Sequence, residues 1–400
     1  MKSEARIPFF LIWKFLLRSN KWTLCLIIFL MSVAFINLIF ITSLFNGIID
    51  GANKQIINTY TGNITVTPRD GQDFIDNTPS VISKIEQNSN VIAAANETLV
   101  PGSLKYKNIK GSWQIDAINP DQESKVTTVA SKMIAGDYLD ANDLDQIIIG
   151  KQVAGGKDTE MDAFSFKDGK VGDKVTLSVA GQEKEFTIKG IFETRFIQTD
   201  ERTFITEKAL TALLPTAKDK STNIVIKTDK TGDENTVIEE LKSSGLNQNF
   251  FTWQDASGIM ISVTKSFVSI NVIMTFVGIL IAAVTIFIVI YVEIINKKRQ
   301  IGILRAIGIK SYLIVFTYIL QTAIYSVFGV LFGTALFYFI IVPYFLAHPF
   351  VLPICDAVLV TTPANYIARA ETIMWVSLIA GMIPAITTTR IKMIDAILGK

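Results

Sequence analysis

Histidine is almost missing from the 400 residues: His348 stands alone, so a site needing two imidazoles, or a triad with a second histidine role, cannot be built. Flanked by Ala347 and Pro349, it is expected to be structural. Cysteine is nearly as scarce. Cys25 and Cys355 fall at opposite ends of the apolar segments described below, a separation that disfavours a disulfide, and the 219 residues from Gly47 to Lys265 contain no cysteine. That stretch must be held by its own core, and redox chemistry is not indicated. Charge is missing over long runs: 28 consecutive uncharged residues between Lys21 and Asp50, 27 between Lys265 and Glu293, 45 between Lys310 and Asp356, and 18 between Glu371 and Arg390. Since about 20 apolar residues cross a bilayer, the chain is expected to be a polytopic α-helical membrane protein.

Gly47 to Lys265 differs in kind. It carries 24 Lys plus Arg against 31 Asp plus Glu, a balance of −7, with Gly and Asn throughout, and is expected to fold as an acidic domain outside the membrane. The overall charge of +2 hides this asymmetry, and nucleic-acid binding has no support.

Orientation follows from the cations, which resist translocation when they flank a span. Lys2, Arg6, Lys14, Arg18 and Lys21 precede the first apolar run; Lys297, Lys298, Arg299, Arg305 and Lys310 follow the second; Arg390, Lys392 and Lys400 close the chain. All three groups belong inside, so the number of crossings is even. Pro343, Pro349 and Pro353 crowd the end of the long uncharged stretch and would interrupt a second helix there, which leaves four spans. The expected organisation is an interfacial N-terminal helix over 1–21, transmembrane helices over 22–46, 266–292, 311–342 and 372–389, an extracytoplasmic domain over 47–265, a cytoplasmic loop over 293–310, an external loop over 343–371 and a tail over 390–400. Leu44 to Ile48 offers no small-residue cleavage site, so the first span is an uncleaved anchor. Before it, Phe9, Trp13, Leu16 and Leu17 recur at helical spacing.

Within the outer domain, period-2 alternation marks strands at 63–67 and 174–179, the latter returning through Ala180-Gly181 as a hairpin over 185–189. Thr206 is placed to cap a helix that Pro215 stops, and Asp233 to cap one ending at Gly245. Strands interleaved with helices give an α+β fold. Ile48, Ile49, Ala52, Ile56 and Ile57 keep an apolar face beyond the first span, and 259–267 does the same before the second; rigid stalks and incidental linkers both fit this pattern.

Catalytic constellations are not found. Gly150 to Asp158 superficially suggests a phosphate loop, but it has one residue too many and an Asp where Ser or Thr must hold magnesium, so it is expected to be a surface turn. The spans hold neutral polar residues such as Asn37, Asn271 and Gln321 but no charge, which weighs against an ion-coupled carrier. Gly329 and Gly333, four apart in the third span, permit close helix approach, within the bundle or across a dimer. The loop Glu293 to Lys310 is the sharpest feature. Ile301, Leu304 and Ile307 share one helical face while Lys297, Lys298 and Arg305 charge others, so the piece can lie on a membrane or fill a groove in a partner.

Lys297 to Lys310 resembles the signature loop of the type VII ABC transporter permeases, the family of the macrolide exporter MacB, the lipoprotein-release permeases LolC and LolE, and the division protein FtsX. Gly302, Ile303, Leu304, Arg305, Ala306, Ile307 and Gly308 match its Gly-Ile-Leu-Arg-Ala-Ile-Gly form, and Gln300 replaces the usual acidic residue. Gly381 to Ala385 with Arg390 to Leu398 is similar to the family's C-terminal Pro-Ala segment, and Ile147 to Gly150, Val171 to Val175, Lys189 to Phe192 and Asp200 follow the order of its periplasmic domain.

The resemblance implies that the loop is a coupling helix docked on a separate cytoplasmic ABC ATPase dimer, which would hold the ATP and Mg, while this chain binds no cofactor or metal. Ile301, Leu304 and Ile307 would fill the ATPase groove, with Lys298, Arg299 and Arg305 making polar contacts around it. It further implies a second permease copy or paralogue, lipid contacts, and a periplasmic chaperone or adaptor, in the cytoplasmic (inner) membrane with both termini inside. Ser43-Leu44-Phe45-Asn46-Gly47 is similar to the Asn-Gly segment of the lipoprotein-release permeases and points to lipoprotein release. MacB-like export of small molecules or peptides, or a non-transport receptor or scaffold, are the alternatives.

Overall fold

The computed structural model describes residues 21–156, 159, 164–352 and 355–390. The interfacial helix expected before Lys21, the tail beyond Arg390, and Lys157 and Asp158 of the expected turn lie outside the described residues. The chain divides into two compact units: residues up to Asp50 with 266–350 and 356 onward, and residues 51–265 with 351–355.

Among the described residues there are four helices long and apolar enough to cross a membrane. In lipid every backbone polar group must be satisfied within the element, and these helices run beyond the spans expected from charge alone. The first runs from Lys21 to Ile56 and the second from Ile259 to Asn296. The third runs Ser311–Leu336, widens into a π-turn over Phe337–Ile341, and continues as Val342–Ala347. Pro343 was expected to mark the end of the span at 342. The helix instead passes through it, because the wider turn just before takes up the missing N–H and the ring's clash with the preceding turn. The fourth helix opens on Pro363, where a missing N–H is harmless, and ends at Arg390, so its first turns occupy what was expected to be external loop.

Phe35, Leu38, Ile290, Ile314, Tyr325 and Ile373 lie in the core of the first unit, while Val272, Phe276, Val284 and Phe339 are exposed, as side chains facing lipid would be. The third helix can lie close to the first because Gly329 and Gly333 lack side chains. A Cβ at Gly329 would sit 2.5 Å from Met31 Cβ, and one at Gly333 2.9 Å from a Phe35 ring carbon. Both glycines therefore serve packing inside one chain.

The second unit is built on a twelve-stranded mixed sheet. Its order is Asn249–Thr252, Ile64–Thr67, Asn223–Thr228, Val91–Leu99, Gln114–Ile118, Arg202–Thr206, Gln146–Gly150, Gln182–Phe192, Lys174–Val179, Gly102–Tyr106 and Ile109–Gly111, with Met133–Gly136 also pairing Gln182–Phe192. Two pairs are parallel, Arg202–Thr206 with Gln114–Ile118 and Gln182–Phe192 with Gln146–Gly150. One apolar core lies at the first end of the sheet, where helices Thr78–Ile85 and Glu234–Ser243 bury Ile82, Ile85, Val237 and Leu241. A second surrounds Leu104, Ile147, Leu177, Phe186 and Ile205. The expected hairpin is present, with Ala180 and Gly181 both at positive φ, the geometry that suits a two-residue hairpin turn. Thr206 caps its helix through Ala209 N, whereas Asp233 makes no side-chain cap; Glu234 accepts from Gly232 N instead.

Where the first helix ends, the chain winds into a π-turn over Ile57–Thr61 that the outer unit grips closely. Gln55 Nε2 donates to Thr194 O at 2.7 Å, Thr128 N donates to Asn58 O at 2.8 Å, and Thr59 and Thr199 hydroxyls lie 3.2 Å apart. Ile56, Ile57, Phe196 and Trp253 form one apolar cluster with Ile261 packed against it, so residues leading from the first helix and into the second meet there. These flanks are packed structure rather than loose linkers.

Candidate coupling loop and outer cleft

The second helix stops because Lys297 leaves helical geometry, and a separate helix occupies Lys298–Ala306. Gly308 ends it at φ 93°, a left-handed conformation that glycine adopts without penalty. Gly308 N donates to Arg305 O at 3.0 Å and Ile309 N to Leu304 O at 3.1 Å, the paired bonds of a Schellman stop, and Leu304 and Ile309 both pack on the bundle core. The glycine at 308 thus has a local structural reason.

The faces of this helix differ from the expected assignment. Ile301 is 1 % exposed and belongs to the core of its own bundle, Gly302 is buried with it, and Leu304 is half-buried. Ile303 and Ile307, four apart, are 48 % and 72 % exposed. Ile301 is therefore an anchor holding the helix down and is not available to a partner's groove. The outward face consists of Ile303, Ile307 and Ala306 with Arg299, Gln300 and Gly308, all exposed, while Lys298 and Arg305 are half-buried at its sides. Periodicity grouped 301, 304 and 307 as one stripe, whereas the bundle buries Ile301, half-covers Leu304 and leaves Ile307 outward beside Ile303.

Glu293 was assigned to an aqueous loop, and the structure corrects this. It lies within the second helix, 4 % exposed, accepting from Lys297 Nζ at 2.7 Å, Gln321 Nε2 at 2.7 Å and Tyr325 OH at 3.0 Å. With Glu293 turned inward, no acidic side chain remains on the loop surface, which presents cations around an apolar pair.

Ser43 to Gly47 has a packing role at the outer end of the first helix. Val360 N donates to Ser43 O at 3.0 Å, the Ser43 and Thr361 hydroxyls lie 2.6 Å apart, and a Cβ at Gly47 would fall 1.7 Å from Val358 O. Two other motif residues are explained inside the outer unit. Asp200 accepts from Thr194 N, Thr194 Oγ1 and Arg195 N at 2.7, 2.8 and 3.0 Å, folding a tight turn, and Gly150 leaves room for the Asp200 carbonyl. Burial pushes the Asp200 carboxyl up to about 6.

The outer unit also holds a cleft of about 400 Å³ walled by Tyr60, Trp113 and Phe164, with Gln152, Gln198 and Glu201 supplying polar groups. Burial raises the Glu201 carboxyl. Beside it lies the buried Arg202, whose Nε and Nη2 donate to Asp116 at 2.7 Å and Glu97 at 2.8 Å. Burial pushes the Glu97 carboxyl up to about 7 against the pull of Arg202, and the Asp116 charge adds to the rise. Arg202 remains charged between two carboxylates, so a proton on Glu97 makes the triad neutral. Among the described residues no group of three or more His, Cys, Asp or Glu could hold a metal ion.

Residues 25–244 match the family described as the MacB-like periplasmic core domain, and residues 272–393 match the FtsX-like permease C-terminal family. No curated protein matches the sequence. Among solved structures, the periplasmic region of MacB from Actinobacillus actinomycetemcomitans is 14 % identical, covering 50 % of this chain and 94 % of its own, with a TM-score of 0.37. The extracellular domain of the noncanonic ABC-type transporter YknZ from Gram-positive bacteria is 13 % identical, covering 47 % and 97 %, with a TM-score of 0.34. A domain of a permease protein from Porphyromonas gingivalis is 16 % identical, covering 45 % and 77 %, with a TM-score of 0.29.

Proposed function

The chain belongs to the MacB- and FtsX-like, type VII ABC transporter permeases, and from that premise we propose that it works as a lever driven by a separate cytoplasmic ATPase. One observation carries this reading: the helix Lys298–Ala306 is anchored to its own bundle through Ile301 while Ile303 and Ile307 stand outward among cations. An apolar pair four residues apart suits a groove, and surrounding cations suit an acidic rim. The cations on this loop support an orientation with the loop inside the cell and the 47–265 domain outside. ATP-driven closure of the partner would pull on the loop, and the long first and second helices would carry the movement to the packed cluster around Ile56 and Trp253. Such work needs packed helices rather than a polar path through the bundle.

The cargo we propose is lipoprotein, drawn from the outer leaflet of the cytoplasmic membrane; the likeness of Ser43 to Gly47 to the lipoprotein-release permeases supports it. A second permease, identical or paralogous, would complete the transporter, and a periplasmic chaperone or adaptor would take the product. The cleft beside Trp113 favours a second reading, export of a small molecule or peptide, because its volume and mixed lining suit a ligand of that size. Docking is tested by Ile303→Asp with Ile307→Asp in the full chain. ATPase retained on purification is expected to fall at least tenfold while the permease stays monodisperse; undiminished retention would refute the docking face.

A further inference from the structure

Ionisable side chains are rare within membrane helices and are usually retained for a task. Glu293 occupies a particular place: it sits in the last turn of the second helix, one helical turn before Lys297, where that helix breaks, and its partners Gln321 and Tyr325 are one turn apart on the third helix. All three hydrogen bonds converge on one oxygen, Oε1, and Gln321 Nε2 also contacts the Tyr325 hydroxyl. The coupling loop leaves the second helix and enters the third at Ser311, so this carboxylate ties the end from which the loop leaves to the body of the helix it enters.

We propose that Glu293 is a positioning residue that sets the angle of the coupling helix, so that a force applied at Ile303 and Ile307 reaches the second and third helices together. The proposal rests on the docking reading above. Ile301, Leu304 and Ile309 hold the loop through apolar contacts, and dispersion contacts carry little directional preference. The Lys297–Glu293 pair adds a second point of attachment, directional and fixed to a third element. Apolar residues of the same volume could fill this space at no loss of stability, because a buried ion pair often does no better than its hydrophobic replacement. What they could not supply is a fixed rotation of Lys297 relative to the third helix.

The test uses the full chain in lipid nanodiscs with the ATPase it retains, comparing the parent, Glu293→Gln with Lys297→Met, which removes both charges, and Gln321→Leu with Tyr325→Phe, which spares the ion pair but frees it from the third helix. Distances are measured without ATPase on chains in which spin labels replace Gln300 and Phe316, both exposed, after Cys25 and Cys355 are changed to Ser and Ala, and retention and turnover are measured on the unlabelled chains. The parent is expected to give one narrow distance distribution, at least twofold broader in both variants. ATPase retention should stay within twofold of the parent while ATP turnover falls at least fivefold. A residue serving stability alone would lower the unfolding temperature and leave turnover per retained ATPase unchanged, and that result overturns the proposal, as does an unchanged distance distribution in both variants. If the parent retains no ATPase, the docking reading fails, and the distance distributions still decide whether Glu293 holds the loop.

Discussion

Arg202, Glu97 and Asp116 bring one cation and two carboxylates into the interior of the outer domain, where the desolvation of the second negative charge is the dominant electrostatic problem. The Glu97 carboxyl answers it by holding its proton up to about pH 7, above the ordinary value of 4.5. Between these two values the folded chain keeps a proton that the unfolded chain has released. Stability therefore declines as pH rises from 4.5 to 7 and levels off beyond, by an amount on the order of 3 kcal/mol at most. Asp200 acts in the same direction up to about pH 6. Unfolding of the detergent-solubilised chain is expected at a higher temperature at pH 5.5 than at pH 7.5, and Glu97→Gln should reduce that difference, with Asp200 and the other carboxyls that burial raises, Glu123, Glu201 and Glu207, supplying what remains. At this scale the sequence was least legible. Glu97 and Arg202 lie 105 residues apart and no local pattern pairs them. Glu293 was misplaced for a related reason: an acid next to Lys297 and Lys298 at the end of an apolar run resembles a solvated loop, and only the neighbouring helix reveals its partners.

Elements governed by local rules were readable. Alternation followed by Ala180-Gly181 specified a hairpin, and a threonine before an apolar helical run specified a cap at Thr206. Elements governed by tertiary packing were not: the passage of the third helix through Pro343 depends on the π-turn over Phe337–Ile341, which has no signature in composition. The same division applies to Gly329 and Gly333, whose spacing announced a close approach without saying to what. Their contact with Met31, Ser32 and Phe35 makes a definite expectation possible. Gly329→Ala must push the first helix away from the third and should destabilise the bundle by about 1–3 kcal/mol, as overpacked cores generally do. Val327→Ala on the exposed face of the same helix should leave the unfolding temperature within about 1 °C of the parent, since such surface changes seldom exceed about 0.5 kcal/mol.

At the scale of the whole molecule, the four apolar helices and the acidic domain inserted after the first were written in the distribution of charge, because a bilayer tolerates long uncharged runs and little else. Family membership then followed from two domain matches that together cover most of the chain. What charge could not reveal is how the loop at 293–310 divides its surface between its own bundle and a partner, and that division underlies the proposed lever. The direct measurement is ATP turnover by the purified complex in proteoliposomes, without additive, with an acylated lipoprotein and with a macrolide. A severalfold change with lipoprotein alone, abolished by Ile303→Asp with Ile307→Asp, is the expected result; turnover indifferent to both cargoes would contradict the account.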